Sequence, residues 1–161
     1  MTNYERINEK VKRILDGHRI KTPPINAKEI AEACGVSVEF KEFTGELSEI
    51  SGILDFEREI IFVNSDDSPA RQNFTIAHEL GHWILHKDKK NNYNVLYRKA
   101  VGVDEESCPL EQEANAFAAE LLVPMNMLDE LRKQIQDESE LARMFFVESD
   151  VISYRLKTGH G

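Results

Sequence analysis

Apolar residues recur along this chain at two different periods, and the switches between them divide it into elements. Tyr4, Ile7, Val11, Ile14 and Leu15 follow steps of three and four, which predicts an amphipathic helix over residues 3–17. Gly17 and the Pro23-Pro24 pair end it. Asn26 with Glu29 three residues later signals a second helix start, and Gly35 its stop. Ile30, Ala31 and Cys34 would be the buried stripe of that short helix. Val36, Val38 and Phe40 then alternate with Ser37 and Glu39, the pattern of a half-buried strand. Residues 41–50 are acidic and unpatterned and read as a loop. Two β-rich runs, Ile53 to Phe56 and Ile60 to Val63, are joined by Glu57-Arg58-Glu59 and read as a hairpin. A small sheet of about three strands is expected.

Ser68 as N-cap with Pro69 behind it opens a helix that carries Phe74, Ile76, Ala77, Leu80, Ile84 and Leu85. Residues 87–104 are polar and irregular apart from Val95-Leu96-Tyr97 and Val101-Gly102-Val103, a long loop with room for one short strand. Pro109 begins a helix that runs to Leu122 and stops before Pro124. Met127, Leu128, Leu131 and Ile135 mark a further short helix over 125–135. Ser139 and Ser149 are the N-cap candidates for two more, at 140–146 and 150–157, with Gly159 as the final stop. The order of helices, sheet and helices predicts an α+β fold. One domain over 1–161 is expected, with a core at about 25–124 and a C-terminal helical extension at about 125–161.

The chemistry concentrates in Phe74 to His86, F-T-I-A-H-E-L-G-H-W-I-L-H. A helix advances about 100° per residue, so His78 and His82 stand about 40° apart on one face. Two imidazoles one turn apart can share a Zn2+, whose catalytic sites take three protein ligands. Glu79, next to His78, is placed to act as general base. A third ligand must come from elsewhere, and Asp104, Glu105, Glu106, Cys108, Glu111, Glu113, Glu120 and His160 all qualify by type. Glu113 is the physical choice, because it opens an otherwise apolar face with Ala116, Phe117 and Leu121. A carboxylate there is costly unless paired or metal-bound. Glu120 is the reserve. His86 borders the histidine face and reads as a helix-end residue, a partner behind the ligands, or a ligand; Asn115 could also stand behind them. Tyr93, Tyr97, Tyr154 and His160 are the candidates to stabilise an oxyanion.

Charge narrows the partners. The 161 residues carry a formal net charge of −9, a field that argues against direct nucleic-acid binding over most of the surface. Residues 1–22 are locally basic at net +3, which reads as a solvated helix face. No apolar run approaches the ~20 residues a membrane span requires. The polar N-terminus lacks the apolar stretch of a signal peptide, and two cysteines make no disulfide framework, so the cytoplasm is expected.

Three stretches together, F-T-I-A-H-E-L-G-H-W-I-L-H, E-Q-E-A-N-A-F-A-A-E-L-L-V-P and I-I-F-V-N, resemble the ImmA/IrrE family of metallopeptidases. The resemblance implies a minimal zincin-like core with His78, His82 and Glu113 as zinc ligands and Glu79 as catalytic acid/base. It also implies a protein substrate, a helix-turn-helix repressor of a prophage or mobile element, cleaved by an anti-repressor. The competing reading is a DNA-binding or stress-regulatory protein with a structural or idle metal site. Residues 27–37 and 141–156 have a helix-turn-helix rhythm, but Glu148 and Asp150 would face phosphate with the wrong sign. If Ile60 to Val63 forms the sheet edge beside the metal helix, an extended peptide substrate could pair with it.

Overall fold

Several helices start where a side chain can take up free N–H groups. In the computed structural model, which describes residues 1–87, the backbone of 95–99, and residues 108–158, Thr2 and Glu5 close a capping box on α1 (Asn3–Gly17). Asn26 accepts from the Glu29 N–H to open α2 (Ala27–Ala33). After it come β1 (Ser37–Lys41), a short 3-10 turn at Gly45–Leu47, β2 (Ile50–Asp55) and β3 (Ile60–Asn64). Ser68 accepts from the Arg71 N–H, and Pro69 fills the first position of α3 (Pro69–Leu85). The order ends with β4 (Val95–Lys99), α4 (Pro109–Leu122), α5 (Met125–Arg132), α6 (Glu138–Phe145) and α7 (Ser149–Thr158). The expected α+β class is what the structure contains.

Several late boundaries differ from the sequence pattern, and α5 stops at Arg132 rather than at 135. Asp137, not Ser139, caps α6, accepting from the Ser139 N–H. Phe146 ends that helix in the left-handed region at φ 57°, with the Val147 N–H donating to the Ala142 carbonyl. Gly159 lies outside the described residues.

The sheet has four strands, in the order β1-β3-β2-β4. The predicted hairpin forms, with Leu54 opposite Ile61 in antiparallel register. On its other side β3 pairs parallel to β1, Val38 facing Ile61. The fourth strand, β4, forms where Val95-Leu96-Tyr97 left room for one short strand in the long loop, and pairs antiparallel to β2. Thus β3 lies inside the sheet, and the expectation that Ile60 to Val63 forms an edge is corrected. Its backbone groups face β1 on one side and β2 on the other, so a peptide cannot add there.

Helix α3 lies between this sheet and α4, with α2 at its start. Two glycines set how near its neighbours come. A Cβ on Gly52 of β2 would lie 2.5 Å from Thr75 Cγ2, and one on Gly81 would lie 3.1 Å from the Phe117 ring of α4. Buried asparagines tie the layers. Asn64 donates to the Ile50 carbonyl, and Asn73 accepts from the Ala27 N–H while donating to the Ile25 and Phe146 carbonyls. One hydrophobic cluster draws residues from α1 through α7, including Ile7, Ile30, Ile61, Leu80, Phe117, Leu128, Phe145 and Ile152.

Candidate metal centre

The histidine face of α3 is turned away from solvent. His78, Glu79 and His82 are each 0 % exposed, which the apolar residues around them predict. The His78 and His82 rings meet edge to face at 4.8 Å between centroids, and their Nε2 atoms stand 3.1 Å apart.

Opposite them is the first turn of α4, and the residue it brings in is Glu111. Its Oε2 is 3.1 Å from His78 Nε2 and its Oε1 is 2.9 Å from His82 Nε2. Among the described residues, His78, His82 and Glu111 form a group whose potential ligand atoms lie within 4.8 Å of one another. Glu113, the residue favoured from sequence, is placed differently. Its Oε1 accepts from His86 Nε2 at 2.8 Å, and its Oε2 accepts from the Asn3 amide at 2.9 Å. The face it opens is indeed internal, with Ala116, Phe117 and Leu121 buried, but histidine and asparagine satisfy its carboxylate. The signal for Glu111 was Asn115, four residues on. Two polar side chains one turn apart share a face, and that face is the one turned to His78.

Asn115 fixes how His78 presents itself. Its Oδ1 stands 2.8 Å from His78 Nδ1; an amide oxygen can only accept, so Nδ1 carries a proton and Nε2 is the atom turned to Glu111. Burial acts to raise the Glu111 pKa, but hydrogen bonds from His78 and His82 and their charges outweigh it. They hold the carboxyl well below the usual range.

Two imidazole nitrogens and one carboxylate match the donor set of a catalytic metal site with an open position. A tetrahedral ion with bonds of about 2.0–2.1 Å spaces its ligand atoms about 3.3 Å apart. The 3.1 Å between the two Nε2 atoms approaches that spacing. The residues present therefore fit a metal ion. Glu79 lies on the sheet side of the same helix turn, its Cγ 3.5 Å from where a Gly52 Cβ would be. The register of β2 against β4 shifts between Ile50 and Gly52, beside that contact.

The other candidates stand elsewhere. Glu120 pairs with Arg155 at 3.1 Å. Cys108 is the N-cap residue of α4 and is outside the three-residue group. Tyr154 lies on α7, away from the three-residue group; burial pushes its pKa up, and Tyr4 adds to the effect. Asp104, Glu105, Glu106, Tyr93, His160 and the Tyr97 side chain lie outside the described residues.

Known proteins of similar sequence include metallopeptidases. The Peptidase_M78 family, described as the IrrE N-terminal-like domain, matches residues 31–157. Metallopeptidase ImmA of Bacillus subtilis is 33% identical over 69% of this chain and 65% of its own length. Radiation response metalloprotease IrrE of Deinococcus deserti is 36% identical over 50% of this chain and 28% of its own. Uncharacterized immunity region protein 2 of Bacillus phage phi105 is 37% identical over 47% of this chain and 46% of its own. The chain thus matches less than two thirds of the length of each of these relatives. A Mycobacterium tuberculosis transcriptional regulator superposes with a TM-score of 0.68 at 17% identity, over 96% of this chain and 47% of that one, a likeness of fold.

Proposed function

Since the chain belongs to the Peptidase_M78 family, we propose that it is a zinc-dependent endopeptidase and that its substrate is a helix-turn-helix repressor of a prophage or mobile element. The observation that carries the reading is the meeting of His78, His82 and Glu111 beside the buried Glu79. His78, His82 and Glu111 would hold the ion, with Glu111 in the role that sequence reasoning assigned to Glu113. When bound, Zn2+ would supply a Lewis acid and a water of lowered pKa.

The chain's own groups do the rest. Asn115 holds the proton on His78 Nδ1, so that ring does not turn. Glu79 takes a proton from the attacking water and returns it to the amine that leaves when the peptide bond breaks. Its burial against β2 keeps bulk water from competing for that proton. A relative from the immunity region of a phage and one named as metallopeptidase ImmA support the repressor context. Among the described residues, no helix is long and apolar enough to cross a membrane. A cytoplasmic site of action fits that context.

The DNA-binding alternative meets a physical obstacle at α6 and α7. Glu148 and Asp150 are exposed where that pair would face phosphate. Arg155 is 3% exposed and is committed to the Val123 carbonyl and to Glu120.

Metal analysis beside a Glu79→Gln variant tests the reading, with both proteins incubated with the repressor encoded next to the gene. Both should carry about one zinc per chain, and Glu79→Gln should cleave at least ~100-fold more slowly. Wild-type protein that binds no metal, or a variant that cleaves at the wild-type rate, would overturn it.

A further inference from the structure

Peptide hydrolysis as described makes no use of His86, Glu113 or Asn3, yet these three join α3, α4 and α1 at the back of the metal centre. His86 is the C-terminal cap of α3 and is 2% exposed; its backbone N–H donates to the His82 carbonyl at 2.9 Å. Its ring lies 5.0 Å from the His82 ring, with the two Nδ1 atoms 2.9 Å apart. Its Nε2 stands 2.8 Å from Glu113 Oε1, and the Asn3 amide donates to Glu113 Oε2.

The protons in this chain of contacts can be placed by donor and acceptor type. An ionised carboxylate only accepts, so Glu113 takes a proton held on His86 Nε2. A neutral imidazole has one donor and one acceptor, which leaves a lone pair on His86 Nδ1. Two Nδ1 atoms 2.9 Å apart share a single proton, and it must then sit on His82. A neutral His82 with its proton on Nδ1 would offer a bare Nε2 to an ion, and that atom stands 2.9 Å from Glu111 Oε1. The opposite arrangement would put a proton on His82 Nε2 and close it as a ligand.

We propose that Glu113 and His86 are positioning residues, a relay anchored on α1 through Asn3 that locks His82 in its ligating tautomer and thereby sets metal affinity. The inference rests on the metallopeptidase reading and extends it to residues behind the ligands. It makes the docking of α1, which precedes the family-matched region beginning at residue 31, part of the metal centre. His78 obtains the same service from a single amide, Asn115, whereas His82 obtains it from three residues on three helices.

The test measures zinc affinity by chelator competition, together with the His82 tautomer by nitrogen-15 NMR of the imidazole in the metal-free chain. Glu113→Ala should bind zinc about 10–100-fold more weakly than wild type, the range for loss of a partner behind a ligand, and should shift His82 toward the Nε2–H form. Glu113→Gln keeps a carbonyl oxygen for His86 and should recover most of the affinity. Asn3→Ala, at an exposed helix end, should weaken binding in the same direction by a smaller factor, and it keeps the test valid if Glu113→Ala does not fold. Wild-type affinity in Glu113→Ala or, should that variant not fold, in Asn3→Ala overturns the relay while leaving the peptidase reading intact. A wild-type chain that binds no zinc overturns both.

Discussion

At the scale of single residues, the centre depends on which nitrogen of each histidine carries a proton and which glutamate faces it. Glu111 and Glu113 are two residues apart, so their Cβ bonds leave α4 about 200° apart. One can meet His78 and His82 only if the other is aimed elsewhere. Substituting both separates the roles. Glu111→Ala should emerge from gel filtration without zinc, whereas Glu113→Ala should retain it when zinc is kept in the buffer; metal analysis of the two peaks reads this directly. Gly52 is a second residue-level constraint. An alanine there would drive its methyl into Thr75 Cγ2 at 2.5 Å, and overpacking of this kind costs about 1–3 kcal/mol. Urea unfolding should show that loss, and adding Thr75→Ser, which removes Cγ2, should restore part of it. A Gly52→Ala chain as stable as wild type would mean that β2 does not approach α3 this closely.

At the scale of elements, α3 is the part that everything else positions. It is fixed at its start by Ser68 and by Asn73, which bonds across to α2 and to the end of α6. It is flanked by β2 through Gly52 and by α4 through Gly81. Asn73→Ala would strip partners from three backbone groups, two of them in buried bonds. A loss of about 2–4 kcal/mol is expected in denaturant unfolding. A change below half a kilocalorie would show that water replaces the amide without cost. The hairpin of β2 and β3 was legible in its alternation and turn, but its place in the sheet was not. Periodicity tells which face of a strand is buried and says nothing about which neighbour it pairs with. The parallel pairing of β1 with β3, which turns a supposed edge into an interior strand, has no local signature.

For the molecule as a whole, the relevant measurements are stability against pH and the charge of the surface. Burial pushes the Cys34 thiol above its ordinary 9.0, and Tyr154 moves in the same direction from 10.0. The folded chain therefore holds protons that the unfolded chain releases as pH rises through roughly 9 to 10, and its stability must fall across that window. Urea midpoints at pH 7.5 and 10 should differ in the wild type and differ less in Cys34→Ala. Tyr154 keeps the difference from vanishing. Equal falls in both proteins would remove Cys34 from the account.

Local terms were legible in the sequence: where α1, α2 and α3 begin, that α3 is amphipathic, and that His78, Glu79 and His82 share one turn. These follow from caps, periods and spacing, all of which act within a few residues. The sequence also indicated that the face beginning at Glu113 goes inward and that His86 borders the histidines. Only the tertiary structure decided what each inward polar group meets. It set Glu111 against His78 and His82, gave Glu113 to His86 and Asn3, and took Glu120 for Arg155. The physical reason is that a buried carboxylate needs a partner, a need visible in one helix, while the partner arrives from another helix at a separation no local pattern encodes.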